Sequence, residues 1–190
     1  MREVDMLRFP TLFCWGLYCF IAIAAIYTTG IFVNLQINPQ DYAHWNAGAM
    51  FPKGTLTYTA VETWSTVTSN DATLLSFDKI NTSSLYFNYF QILAVLFLAF
   101  ISVRELLNII RSVGQIDTFH KRNILSFQKI SKYLFVIFIL SGFTFISAPE
   151  ASLRSYSLQL TPLMLSLAAL LLAEIFKRGN ELLEENQLTI

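Results

Sequence analysis

Four long stretches of the chain carry almost no charge, and polar connections separate them. The stretches are residues 11–33, 85–103, 133–148 and 158–175. An α-helix rises ~1.5 Å per residue, so the first stretch would extend roughly 34 Å, enough to cross a hydrocarbon layer of ~30 Å. The third is shorter, but Lys132 can complete the crossing by extending its amine to the interface. The pattern predicts an all-α membrane protein, a bundle of four transmembrane helices in a single membrane domain, 1–190.

The first stretch has an alternative interpretation as a cleaved signal peptide. Arg2 and Arg8 give it a basic start, and Ala22-Ile23-Ala24 resembles a cleavage site. The apolar run continues to Val33, however, which is longer than a typical signal core. We therefore favour a retained membrane span.

The connection between the first two spans, residues 34–84, is the longest polar segment. Within it, Leu56, Tyr58 and Ala60 alternate with threonines, which is the periodicity of a half-buried strand. Ser69-Asn70-Asp71 provides a turn. We expect a small extracytoplasmic β-hairpin, with residues near 55–67 paired to residues 72–80. A disordered threonine-rich loop is the alternative, because two strands alone are marginally stable.

The connection at 104–132 predicts a short cytoplasmic hairpin of helices. Gly114 interrupts the first helix and Asp117 is a favourable N-cap for the second. One face of the second helix carries Phe119, Asn123 and Phe127, while Lys121, Arg122 and Lys129 lie elsewhere. The basic side chains would meet anionic lipid headgroups or form a docking surface for a cytoplasmic protein.

The tail, residues 176–190, predicts a helix that keeps an apolar stripe beyond the fourth span. Gly179, Leu182 and Leu183 lie on that stripe, and Glu181, Glu184 and Glu185 carry charge opposite to the inner hairpin. We expect the leucines to pack on the inner hairpin or on another protein. Glu174 and Arg178 have the acid-first spacing of a helical ion pair.

Charge distribution sets the orientation of the spans. Ten of the 13 Lys and Arg residues lie in the N-terminal segment, the 104–132 connection and the tail, all of which four spans would place on one side. Basic residues accumulate in cytoplasmic connections. The pattern predicts a multi-pass protein of the bacterial inner membrane with both termini in the cytoplasm. The net charge of zero argues against direct binding of nucleic acid.

Chemistry-bearing residues are few. His44 and His120 are predicted on opposite sides, and no metal-binding, nucleotide-binding or nucleophile motif is present. We therefore expect a non-enzymatic protein without a cofactor or metal. Asn88 and Gln91 are strongly polar and lie within the second span, where they would either bond across helices or line a small polar pocket. Small residues of the fourth span would allow close helix packing: Ser166, Ala169 and Ala173.

The segments GQIDTFHKRNILSFQKI and AEIFKRGNELLEENQLTI resemble those of a bacterial family of four-span membrane proteins, domain of unknown function 2975. Phe119 and Asn123 occupy its recurring Phe and Asn positions. Asp117-Thr118 departs from it, because a proline is often found there. The family has no established activity. Its genes often lie beside a small helix-turn-helix regulator, so the resemblance implies a membrane partner for a transcription factor.

These features together predict a regulatory or sensory membrane protein that docks a cytoplasmic partner, such as a helix-turn-helix regulator. Its docking surface would combine the inner hairpin and the tail. The alternative is a protein that binds or transports a small molecule or lipid through a pocket at Asn88 and Gln91. The oligomeric state does not follow from the sequence.

The orientation is testable by labelling single cysteines introduced into a variant that lacks Cys14 and Cys19. A cysteine at position 60 should react with an impermeant maleimide in intact cells. Cysteines at positions 120 and 185 should react only after permeabilisation. External labelling of position 185 would contradict the four-span topology.

Overall fold

Four long helices account for most of the chain. The computed structural model describes residues 3–45, 56–63, 76–113, 121–149 and 151–188. The helices are α1 (Glu3–Ile37), α2 (Thr82–Val113), α3 (Lys121–Ser141) and α4 (Leu160–Leu188). Each is long and apolar enough to cross a membrane, which confirms the four predicted helices.

Large apolar side chains cover the outside of these helices. Ile26 is 73% exposed, Phe97 is 62% exposed and Leu171 is 66% exposed. Side chains of this size gain ~1.5–3 kcal/mol each when removed from water. Lipid contact explains why they face outward, so the chain is a multi-pass membrane protein.

The strands of the described residues form a three-stranded antiparallel sheet with the order β1-β3-β2. Its strands are β1 (Leu56–Thr63), β2 (Phe143–Ser147) and β3 (Ala151–Leu158). Two short 3-10 turns, Pro39–Tyr42 and Phe77–Lys79, flank the outer connection.

The small β element is confirmed, but among the described residues β1 pairs with a strand that the prediction did not include. β1 pairs with β3, so that Thr57 lies opposite Ser157 and Tyr58 lies opposite Tyr156. Of the segment proposed as the second hairpin strand, 72–80, residues 72–75 lie outside the described residues, and Phe77–Lys79 form a 3-10 turn. The physical reason is that β3 already has a second neighbour in β2, and three strands are far more stable than an isolated pair.

The third apolar stretch is not helical to its predicted end at residue 148. α3 ends at Ser141, and the residues that follow Gly142 form β2. A Cβ atom at Gly142 would lie 3.3 Å from the carbonyl oxygens of Phe138 and Ser157, so glycine permits the close approach of the helix end to β3. The alternating Phe and β-branched residues of β2 favour a strand.

The chain forms two compact units, which we name the helical unit and the sheet unit. The helical unit comprises Met1–Ala22, Leu96–Ile137 and Thr161–Ile190, and the sheet unit comprises Ile23–Val95 and Phe138–Leu160.

The core of the helical unit joins α2, α3 and α4. Its buried apolar residues are Ile109, Ile124, Phe127, Ile130, Ala169 and Ala173. The small-residue stripe of α4 is buried as predicted, and the hydroxyl of Ser166 lies 3.1 Å from that of Ser131. α1 packs on α2 in this unit through Tyr18 and Phe100, whose ring centroids are 4.8 Å apart.

The core of the sheet unit lies under one face of the sheet. Its buried apolar residues are Ile80, Ile146, Ala148, Ala151 and Leu153. α1 and α2 also meet in this unit, where Phe32 stacks on Tyr89 at a centroid distance of 4.1 Å and Thr29 lies 3.2 Å from the Tyr89 hydroxyl.

Candidate functional site

The tail is the continuation of α4, which remains helical to Leu188. The predicted tail helix is therefore confirmed. Phe176 packs against Phe127 of α3 with ring centroids 5.0 Å apart, and the predicted pair of Glu174 and Arg178 forms at 3.5 Å.

An ion pair joins the tail to the start of α3, as charge complementarity predicted. Lys121 Nζ lies 3.4 Å from Glu184 Oε1, which also accepts a 2.8 Å hydrogen bond from Asn180. These donors, Asn180 first and then Lys121, hold the pKa of Glu184 below its ordinary value. Both partners of the ion pair are largely exposed, so the pair sets the direction of the tail more than it stabilises the fold.

The two leucines of the tail remain exposed and are not buried against the described part of the inner hairpin. Leu182 is 61% exposed and Leu183 is 47% exposed. The expectation that the hairpin buries them is wrong, because the aromatic contact of Phe176 and the ion pair of Glu184 already hold the helix. The second possibility from the sequence, a separate protein that covers them, stays a prediction.

Several residues predicted to lie on the docking surface instead hold the helices together. Asn123 is buried and donates a 2.9 Å hydrogen bond to Ser112 of α2. Phe127 is buried in the core of the helical unit. Neither side chain is accessible to a partner.

Lys129 also forms an ion pair within the helical unit. Its amine lies 3.4 Å from Glu105 Oε1 of α2, and the hydroxyl of Ser126 donates a 2.7 Å hydrogen bond to the other carboxylate oxygen. Sequence reasoning missed Glu105 as an organising residue. Its position one residue after Arg104, at the end of an apolar stretch, was the available signal.

The exposed remainder of the predicted set clusters along the tail. We define the tail surface as Glu181, Leu182, Leu183, Glu185 and the ion pair of Lys121 with Glu184, all exposed. Arg122 is exposed beside Lys121, and Gly179 is half-buried. Phe119 lies outside the described residues.

A row of polar side chains, one on the residue before α2 and the others on α2 itself, binds the edge of β2 that faces away from β3. We define this amide row as Asn81, Ser84, Asn88 and Gln91, which share one helical face. The side chain of Asn81 donates to Ser147 Oγ (2.9 Å), Ser84 Oγ donates to the Phe145 carbonyl (3.0 Å), and Asn88 donates to the same carbonyl (2.7 Å). Gln91 donates to the carbonyls of Leu140 and Phe143.

The amide row changes the interpretation of the predicted pocket. The amide groups of Asn88 and Gln91 bond to backbone carbonyls that no strand covers among the described residues. Their role is the packing role that the sequence also allowed. Sequence reasoning missed Asn81 and Ser84, although their helical spacing of seven and four residues from Asn88 was a usable signal.

The described residues contain no group of three or more His, Cys, Asp or Glu side chains that could hold a metal ion. His44 is exposed and lies near Trp45, with ring centroids 6.3 Å apart. His120 lies outside the described residues.

A comparison with protein families gives one match. The family model described as "Protein of unknown function (DUF2975)" matches residues 73–190. The matched part contains the amide row, β2, β3 and the tail surface. Searches of curated proteins and of solved structures found no match.

Replacement of Gln91 tests the amide row. Gln91→Leu leaves two carbonyls without this donor, and a buried polar group without a partner costs about 1–3 kcal/mol. We expect this loss of unfolding free energy in detergent micelles, measured by chemical denaturation. Gln36→Leu is the matched control, because Gln36 is exposed on α1, and it should change the stability by less than about 0.5 kcal/mol. Equal stability of the two variants would contradict this role.

Proposed function

The chain belongs to the DUF2975 family of proteins of unknown function, and we propose that it is a non-enzymatic membrane protein that docks a cytoplasmic regulator on its tail surface. The observation that carries this proposal is the exposure of Leu182 and Leu183 on a charged helix.

Helix length supports a tail outside the bilayer. α4 has 29 residues, so it extends ~44 Å, whereas a hydrocarbon core is ~30 Å thick. Lys177 and Arg178 mark the boundary, because basic side chains favour the headgroup region. The last turns of α4 then lie in the cytoplasm, where exposed leucines are costly unless a partner covers them.

The chemistry of the tail surface indicates what kind of partner fits. Two adjacent leucines stand among three glutamates, Glu181, Glu184 and Glu185, of which Glu184 is already paired with Lys121. A complementary partner would offer an apolar groove with a basic rim. Helix-in-groove binding of this type buries apolar anchors, while the charges set orientation and association rate.

A DNA-binding regulator meets this description, because such proteins carry basic surfaces that neutralise phosphates. An acidic helix that covers such a surface would compete with DNA. The proposed activity is therefore retention of a regulator at the membrane, consistent with the helix-turn-helix partner that the family resemblance implies.

The tail leucines provide the direct test. Leu182→Ser/Leu183→Ser should lose the co-purification of a helix-turn-helix regulator of the kind that the family resemblance implies, co-expressed with the full chain and captured from solubilised membranes. The matched control is Leu106→Ser/Leu125→Ser, which changes two exposed leucines of α2 and α3 and should retain binding.

Stability separates loss of docking from loss of fold. Because Leu182 and Leu183 are exposed, their replacement should leave the melting temperature and the protease protection of the tail unchanged. Undiminished regulator capture by the tail variant, or equal loss in the control, would contradict the proposal.

A further inference from the structure

The exposed face of the sheet changes in character along the strands. Residues two apart on a strand share a face, so Arg154, Tyr156 and Leu158 of β3 lie together, and all three are exposed. Leu158 lies two residues before the start of α4, and Arg154 lies further from the helix ends. From Leu158 to Arg154, the exposed face is therefore first apolar, then carries the phenol of Tyr156, and ends at the guanidinium cation of Arg154.

Aromatic rings form a row across this face. Tyr156 lies opposite Tyr58 of β1 and opposite Phe143 of β2. The ring centroids of Phe143 and Tyr156 are 5.3 Å apart, and Phe87 of α2 extends the row at 6.2 Å from Phe143. Tyr58 is 69% exposed and Tyr156 is 51% exposed. Tyrosines in such positions are typical of the membrane–water interface.

An apolar cleft of about 630 Å³ opens at the helix end of the row. Phe138 and Ile139, from the last turn of α3, form one wall, and Tyr58, Tyr156 and Leu158 form another. The cleft is continuous with the lipid-facing surface of α3, because Ile139 is 57% exposed and belongs to a helix that crosses the membrane. Its volume lies within the range of small-molecule sites, ~300–1,000 Å³.

With the tyrosine row at the membrane interface, the spacing along β3 would bring Arg154 to the height of a lipid phosphate. A strand rises ~3.4 Å per residue, so Arg154 lies ~7 Å beyond the tyrosine row and ~14 Å beyond Leu158. A bilayer of ~40–45 Å contains a hydrocarbon core of ~30 Å, which leaves ~5–8 Å of headgroup region on each side. The guanidinium carbon of Arg154 lies 5.9 Å from the ring centroid of Phe145, on the same face.

We propose that this face binds one glycerophospholipid of the adjacent leaflet, with an acyl chain in the cleft, the glycerol esters at the tyrosine row and the phosphate at Arg154. The match is between three successive chemical zones of the sheet and the three zones of one lipid. The charge pattern of the chain predicts that this leaflet is the outer one.

A crosslinking experiment on the full chain in nanodiscs tests the site. The probe is a trace of phosphatidylglycerol with a diazirine at the end of one acyl chain, in a phosphatidylcholine bilayer. Crosslinks should concentrate on residues 138–158, and Arg154→Gln should lower their yield about five-fold, the effect of one basic residue near a membrane surface. Crosslinks to residues 8–22 serve as the internal reference and should not change.

Matched variants and probes isolate the phosphate contact. Arg154→Lys should keep most of the yield, and Lys79→Gln, which removes an exposed cation of the same unit, should keep all of it. A diacylglycerol with the same diazirine chain lacks the phosphate, so its crosslinking should not depend on Arg154.

Three outcomes would overturn the proposal. Equal crosslinking in wild type and Arg154→Gln would show ordinary lipid contact. An equal loss with the diacylglycerol probe would show a structural role for Arg154. Displacement of the lipid probe by millimolar inorganic phosphate would show a simple anion site.

Discussion

The outward edge of β2 imposes the constraint on which the sheet depends. Its carbonyl groups need donors, because an unpaired polar group beside lipid or apolar protein costs free energy. The amide row of α2 supplies those donors. The ten steps from Asn81 to Gln91, at helical spacing, rise ~15 Å, and the strand from Ser147 to Phe143 extends ~14 Å. The amide row and β2 therefore match in length. The donor side chains differ in length, which compensates for the different spacing of residues along a helix and along a strand.

This match determines where the third span ends. Once α2 presents donors, the residues after Gly142 gain more as a strand between α2 and β3 than as a further turn of helix. β3 then lies between two partners, and its exposed face carries Leu158, Tyr156 and Arg154 outward. The amide row thus creates both the sheet and the surface on which we place a lipid.

Different interactions hold the helical unit together. Asn123 and Glu105 bind partners across helices, and the small residues of α4 bring it close to α3. These contacts leave the last turns of α4 with exposed apolar side chains. The distinction between buried Phe127 and exposed Leu183 separates the residues that build the unit from those that remain for a partner.

The sequence predicted the elements far better than their contacts. Length and hydropathy were enough for the helices, and the alternation around Tyr58 was enough for β1. Its partner was missed because β3 lies about 100 residues further along the chain, and local periodicity contains no pairing information. β2 was assigned to the third span because a short apolar run is compatible with either a helix or a strand. For the leucines of the tail the sequence left two neighbours open, the inner hairpin and another protein, since an apolar stripe does not show what covers it.

The backbone amide of Ser147 gives the most direct test of the central role of the amide row. Its N–H donates to the hydroxyl of Ser84 at 3.0 Å, whereas the N–H of Ser157 donates to the carbonyl of Gly142 at 2.8 Å. Hydrogen exchange in nanodiscs should be slow at both amides in the wild-type chain. Ser84→Ala should accelerate exchange at Ser147 and leave Ser157 protected. Rapid exchange at Ser147 in the wild-type chain would contradict the account.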